Sequence, residues 1–253
     1  MAVMDQFLLN DGVAVITGAG RGIGEGIAHA LAEAGAAVVL AARRENEVQQ
    51  VADAINAAGG RAIAVATDVT DKAAVEALAD AAVAEFGKLN IWVNNAGGAS
   101  RISPLTEMPM EDWQASLDLN LTAVFVCTVV AADRMKDGGS VINISSRAAW
   151  GPVPGSGHYA AAKAGVHSLT ATFSRELGPN IRVNTIASGF IPTEISMQAL
   201  QITEEDLPDM VAAFQIPLGK LGTPGDIGAA VQYLASPASS WVTGQIWPVT
   251  GGS

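Results

Sequence analysis

The chain has 253 residues, enough for one large α/β domain, and its 49% hydrophobic and 15% charged residues exclude a disordered polypeptide. A formal net charge of -11 argues against a nucleic-acid partner, because an acidic surface repels phosphate backbones. No apolar run reaches the roughly 20 residues that cross a bilayer, and no secretion signal is read at the start. Cys127 is the only cysteine, so no intrachain disulfide and no metal site are expected, and a cytoplasmic location fits.

In chain order, short apolar runs alternate with longer helical stretches. Strands are predicted over 13–17, 37–41, 61–67, 91–94, 140–145, 181–187 and 245–249. Helices are predicted over 22–34, 45–58, 72–86, 111–135, 158–177 and 224–234. Strands that are apolar throughout are buried on both faces, and repeated strand–helix units build a parallel sheet. The expected fold class is therefore α/β: a doubly wound parallel sheet of about seven strands with helices on both faces, formed by the whole chain as one domain. The least regular stretch, 191–218, contains Pro192, Pro208 and Pro217 with scattered apolar residues. It reads as a substrate lid within that domain or as a pair of surface helices.

Between the first strand and the first helix lies TGAGRGIG, with Gly18, Gly20, Gly22 and Gly24. Glycines there let the backbone approach a pyrophosphate, and the following helix offers free N–H groups at the positive end of its dipole. The pattern gains weight from its strand–turn–helix context. An acid about 20 residues on would hold an unphosphorylated ribose. Here that place is taken by Ala42, followed by Arg43 and Arg44, with Arg21 inside the loop. Arginines bind a 2′-phosphate by charge-assisted hydrogen bonds, so the expected cofactor is NADP(H).

Tyr159 and Lys163 are four residues apart in HYAAAKAG and share a helix face. A lysine charge about 4 Å away is worth up to about 4 kcal/mol at an effective dielectric of about 20, enough to bring a phenol toward neutrality. Ser145 and Ser146 end the preceding strand at the sheet edge where ligands of parallel sheets bind. Asn120 is a polar residue in an apolar helical segment and needs a partner; a water relay to Lys163 or a backbone hydrogen bond would both serve.

TGAGRGIG at 17–24, DVT at 68–70, NNAG at 94–97, Asn120 in DLNLT, Ser146, YAAAK at 159–163 and NIRVNTIASGFIPTE at 180–194 occur in this order over essentially the whole chain. The sequence resembles the short-chain dehydrogenase/reductase family. The resemblance implies a Rossmann-type fold and hydride transfer between nicotinamide and a ketone or secondary alcohol. It assigns Tyr159 as acid–base, Lys163 as ribose ligand and modulator of the tyrosine, Ser146 rather than Ser145 as the group that orients the substrate oxygen, and Asn120 as anchor of a relay water. It further implies that Ile23 and the loop glycines hold the phosphates, that Asp68 and Val69 flank adenine, that Asn95, Ala96 and Gly97 line the cleft, and that Ile191 and Thr193 meet the carboxamide end. A dimer or tetramer is implied as well.

Within the family, the chain is similar to the bile-acid hydroxysteroid dehydrogenase and 3-oxoacyl carrier-protein reductase groups. A non-catalytic dinucleotide sensor is a reading of a different class. Ser188, Asn90 and the Trp247–Pro248 pair depart from the family pattern. Ala99, Ser100, Arg101, Ile102, Trp150 and Pro152 are candidate pocket residues, and apolar residues in 191–218 suggest a hydrophobic substrate. His158 is expected at the rim or surface, about 100° around the helix from Tyr159.

Overall fold

The computed structural model describes residues 3–99, 101–151 and 153–253; Ser100 and Pro152, both expected near the pocket, lie outside these residues. Seven strands form one parallel sheet in the order β3-β2-β1-β4-β5-β6-β7. They are β1 (Val13–Thr17), β2 (Ala37–Ala42), β3 (Arg61–Ala66), β4 (Ile91–Asn94), β5 (Gly139–Ser146), β6 (Ile181–Ser188) and β7 (Ile246–Val249). The order reverses direction between β1 and β4, which opens a crevice at the carboxyl ends of those strands.

Helices α1 (Gly22–Glu33), α2 (Glu45–Ala57) and α9 (Pro224–Ala235) cover one face of the sheet, with Ile16, Leu40 and Ile142 beneath them. Helices α3 (Lys72–Phe86), α5 (Ala123–Arg134) and α6 (Gly157–Glu176) cover the other, over Val15, Val39, Trp92 and Val141. This division follows from strand geometry, since successive side chains point to opposite faces. All five residues of β1 are buried, as a fully apolar strand requires.

The helix expected over 111–135 is two helices, α4 (Met110–Leu117) and α5, joined by one π turn at Asp118–Thr122. Met110–Arg134 is long and apolar enough to cross a membrane by length and composition. Its Ala123, Cys127, Val130 and Ala131 instead pack into the core against β4 and β5. The 191–218 stretch contains the short helices α7 (Glu194–Leu200) and α8 (Leu207–Ala213). Thr193 caps α7, accepting a hydrogen bond from the Ser196 N–H.

A buried polar ladder crosses the sheet beneath the crevice. Trp92 Nε1 donates to Asn94 Oδ1 (2.8 Å), Asn94 Nδ2 to Asn143 Oδ1 (2.8 Å), and Asn143 Nδ2 to Thr170 Oγ1 (2.9 Å), which lies 2.6 Å from Thr185 Oγ1. The ladder ties β4, β5, β6 and α6 together and so fixes α6 against the sheet. Such a network is favourable because each buried polar group finds a partner.

The sequence departures have local partners. Asn90 Oδ1 accepts from the Val13 N–H (2.8 Å) and its Nδ2 donates to Asp11 O (3.3 Å), joining the starts of β1 and β4. Ser188 Oγ donates to Ser145 O (3.2 Å). Trp247 stacks on Tyr233 with ring centroids 5.2 Å apart.

Candidate active site

A cleft of about 1030 Å³ opens at the carboxyl ends of the strands. All four glycines of the loop line it, together with Arg21, Ile23, Arg43, Arg44, Asp68, Val69, Asn95, Ala96, Gly97, Ser146, Tyr159, Lys163, Ile191 and Thr193. The candidate residues scattered along the sequence thus meet in one crevice. Asn120 is completely buried behind it.

The glycine loop turns at Gly18, whose φ of 65° is left-handed and favours glycine. Helix α1 then begins without a side-chain cap, and its first residues Gly22, Ile23 and Gly24 line the cleft. Gly24 packs against the Gly18 carbonyl, and a Cβ there would also lie 2.6 Å from Asn95 Nδ2. Asn95 in turn donates to Thr17 O (2.9 Å) and Gly18 O (3.0 Å), while its N–H and that of Ala96 donate to Thr17 Oγ1 (both 3.0 Å). Asn95 therefore braces the loop from the end of β4. Gly24→Ala is expected to cost about 3 kcal/mol, because the obstacle is backbone and overpacking cannot relax there. Urea unfolding and a dinucleotide titration test this; unchanged stability together with unchanged affinity would refute it.

The cationic residues at the mouth differ in their partners. Arg21 pairs with Glu194 at the start of α7, and Arg44 pairs with Glu47 at 2.9 Å. Arg43 is exposed and forms no ion pair among the described residues. Asp68 is held below the usual carboxylate range by the Thr70 hydroxyl and N–H (2.7 and 3.0 Å), against the effect of burial and with help from Arg43.

Deeper in the cleft, β5 delivers Ser146 and α6 delivers Tyr159 and Lys163. Ser146 Oγ accepts from the Ala148 N–H (3.1 Å). Lys163 is buried, donates to Ile144 O (2.8 Å), and has Nζ 5.6 Å from the Tyr159 ring centroid. Burial pushes the Tyr159 phenol up, opposed by a hydrogen bond with Ser146. Burial also pulls Lys163 down to about 8. The downward shift expected for Tyr159 from the lysine charge is thus reversed in the polypeptide itself. Desolvation of the phenol dominates, since loss of water disfavours the charged form.

Asn120 sits in the π turn, where the Ala123 N–H reaches back five residues to Asp118 O. Its Nδ2 donates to Gly98 O (3.0 Å) and Ser116 O (3.1 Å), and its Oδ1 accepts from the Gly98 N–H (3.0 Å). Backbone groups thus partner both ends of its amide. A Cβ on Gly97 would meet Asn120 Oδ1 at 2.7 Å and Lys163 Nζ at 3.2 Å, so both side chains press on this glycine.

Three expectations need correction. His158 is fully buried, not at the rim. Helix α4 packs on α6 and covers it, and neither ring nitrogen has a hydrogen-bond partner among the described residues; burial lowers its pKa, with Asp112 opposing. Trp150 is 55% exposed, packs at a tilt on His167 with centroids 4.9 Å apart and does not line the cleft. Arg101 pairs with Asp112 at 2.9 Å outside the cleft lining, whereas Ala99 and Ile102 do line it. The sequence reading missed Arg147, Val153, Pro154 and Phe190 as cleft residues, while Phe214 of the 191–218 segment, singled out as a lid, does line the cleft. Nothing in the sequence marked Arg147 beyond its place after Ser146.

A family model described as Enoyl-(Acyl carrier protein) reductase matches residues 18–253. The chain is 41% identical over 251 residues to 7alpha-hydroxysteroid dehydrogenase of Escherichia coli strain K12, covering 98% of this chain and 96% of that one. It is 40% identical over 245 residues to 3-oxoacyl-[acyl-carrier-protein] reductase of Synechocystis sp., covering 95% and 96%. A solved 7α-hydroxysteroid dehydrogenase complexed with NADH and 7-oxo glycochenodeoxycholic acid superposes with a TM-score of 0.93 at 39% identity, covering 100% of this chain and 98% of that one.

Proposed function

Since the chain belongs to the short-chain dehydrogenase/reductase family, whose relatives act on hydroxyl and keto groups, we propose that it is an NADP(H)-dependent oxidoreductase acting on a hydrophobic ketone or secondary alcohol, hydroxysteroids included. The observation that carries this reading is the convergence of Ser146, Tyr159 and Lys163 in one cleft with the glycine loop. The uncapped start of α1 and the backbone packed tightly at Gly24 fit a pyrophosphate. Arg43, with Arg21 and Arg44 beside it, would hold a 2′-phosphate; Asp68 and Val69 would flank adenine; Asn95, Ala96 and Gly97 would line the floor; Ile191 and Thr193 would meet the carboxamide.

A bound nicotinamide supplies or accepts the hydride. Tyr159 Oη gives the proton to the substrate oxygen in reduction and takes it in oxidation. Ser146 Oγ holds that oxygen and the phenol together, and Lys163 holds the ribose and favours the phenolate once charged. Asn120 clamps Gly98 and keeps the π turn in place as the anchor of a proton relay. The whole chain works as one dinucleotide-binding domain with 191–218 as its lid. It works in the cytoplasm as a homodimer or homotetramer, a reading supported by exposed Phe125 (46%) and Val129 (43%) on α5 and by Trp241 (98%) near the C-terminus.

Turnover of NADPH and of NADH with oxo-steroids, short diketones and acetoacetyl thioesters tests the reading. NADPH is expected to lead NADH in kcat/KM by at least about tenfold, the lower range for one charge-assisted contact. The double variant Ala42→Asp/Arg43→Asp is expected to reverse that order. NADH favoured by the unmodified chain would remove the NADP assignment. The carrier-protein reductase reading predicts thioesters as the best substrates; the net charge of -11 weighs against docking an acidic carrier. A dinucleotide sensor would bind NADPH and reduce none of them.

A further inference from the structure

Part of the cleft lining is apolar, with Ser156 among the polar residues beside it. Ile102, Val153, Pro154, Leu200 and Phe214 form that part, and Arg147 lines the cleft with them. Its guanidinium carbon lies 5.4 Å from the centroid of the Phe214 ring. Its Nη1 is buried and has no hydrogen-bond partner among the described residues. Nor does Arg147 form an ion pair among them, whereas Arg21 and Arg44 at the same cleft each face a carboxylate. An unpaired buried donor on a cation is costly, and an arginine kept in an apolar wall is best explained by a partner that arrives with the ligand.

We propose that Arg147 recognises an anionic group on the substrate, so that the enzyme takes apolar ketones or alcohols carrying a carboxylate. The planar guanidinium offers a fork of donors that matches a carboxylate's two oxygens. The apolar walls take the body of the molecule, and the aromatic ring of Phe214 packs on the guanidinium. The chain's overall charge of -11 repels anions, which makes a local cation the condition for binding one. The position of the substrate oxygen in this account rests on the hydride-transfer reading above; the anion site itself does not.

Two measurements separate these. The first is calorimetric titration of the dinucleotide-loaded protein with cyclohexanecarboxylate and with cyclohexanecarboxamide. The second is turnover of 4-oxocyclohexanecarboxylate against 4-oxocyclohexanecarboxamide, and of an oxo-steroid acid against its methyl ester. The unmodified protein is expected to prefer the carboxylate by about ten- to a hundredfold in both, the range of a charge-assisted pair. Arg147→Met should collapse that ratio to near one, and Arg147→Lys should leave it in between. Equal losses on the charged and neutral members, or no preference in the unmodified protein, would overturn the proposal and leave Arg147 as a packing partner of Phe214. Carboxylate preference in titration without turnover would sustain the anion site and defeat the hydride-transfer reading.

Discussion

Tyr159→Phe is expected to lower kcat by about a thousandfold or more while leaving NADPH affinity within about threefold. The substitution removes one oxygen from a side chain that packs in the cleft, so the fold loses little. General acid–base catalysis is worth about 10²–10⁴ in rate. Burial raises the phenol, which keeps it protonated through neutral pH and ready to donate in the reductive direction. Reduction is therefore expected to fall as pH rises through the phenol's ionisation, and oxidation to rise. Single-turnover kinetics and fluorescence titration of NADPH check the two halves. Retained turnover in the variant would defeat the proposed chemistry, and lost NADPH binding would make the tyrosine a structural support.

The strands were legible because runs such as VAVIT and AVVLAA are apolar without alternation, which only a sheet covered on both faces accommodates. The glycine loop and the tyrosine–lysine pair were legible because close backbone approach and a shared helix face restrict which residues stand there. The π turn at Asp118–Thr122 was not, since DLNLT has ordinary helical composition and the extra residue in the turn arises from packing. His158 was misplaced for a related reason. A helix is read with one buried stripe, but α6 is covered by the sheet on one side and by α4 on another. The helices in 191–218 are too short for periodicity to register, and the Thr193–Ser196 cap of the first lacks the glutamate or glutamine that marks a start in sequence. Arg147 went unnoticed because nothing in sequence distinguishes a cation facing solvent from one facing a cleft.

The second large effect concerns stability rather than rate. Lys163 is 3% exposed, and burial brings it from the ordinary 10.5 down to about 8. The unfolded chain therefore binds a proton more readily than the folded one. Stability contributed by this group rises as pH climbs from about 8 to 10.5, and below about 8 the full penalty applies. At about 1.36 kcal/mol per unit that penalty is about 3 kcal/mol. Its hydrogen bond to Ile144 O returns about 1 kcal/mol of this. Lys163→Met, similar in volume and free of charge, is accordingly expected to be more stable by about 2 kcal/mol at pH 7 and to have lost turnover. The gain should shrink as pH rises from about 8 toward 10.5 and be gone above that, where the lysine is neutral in both states. Urea unfolding of both proteins at pH 7 and above pH 10 measures the difference directly. A variant less stable at pH 7, or a difference that does not change with pH, would show that the buried ammonium is already compensated by its surroundings, and the site would then hold its lysine without cost to the fold.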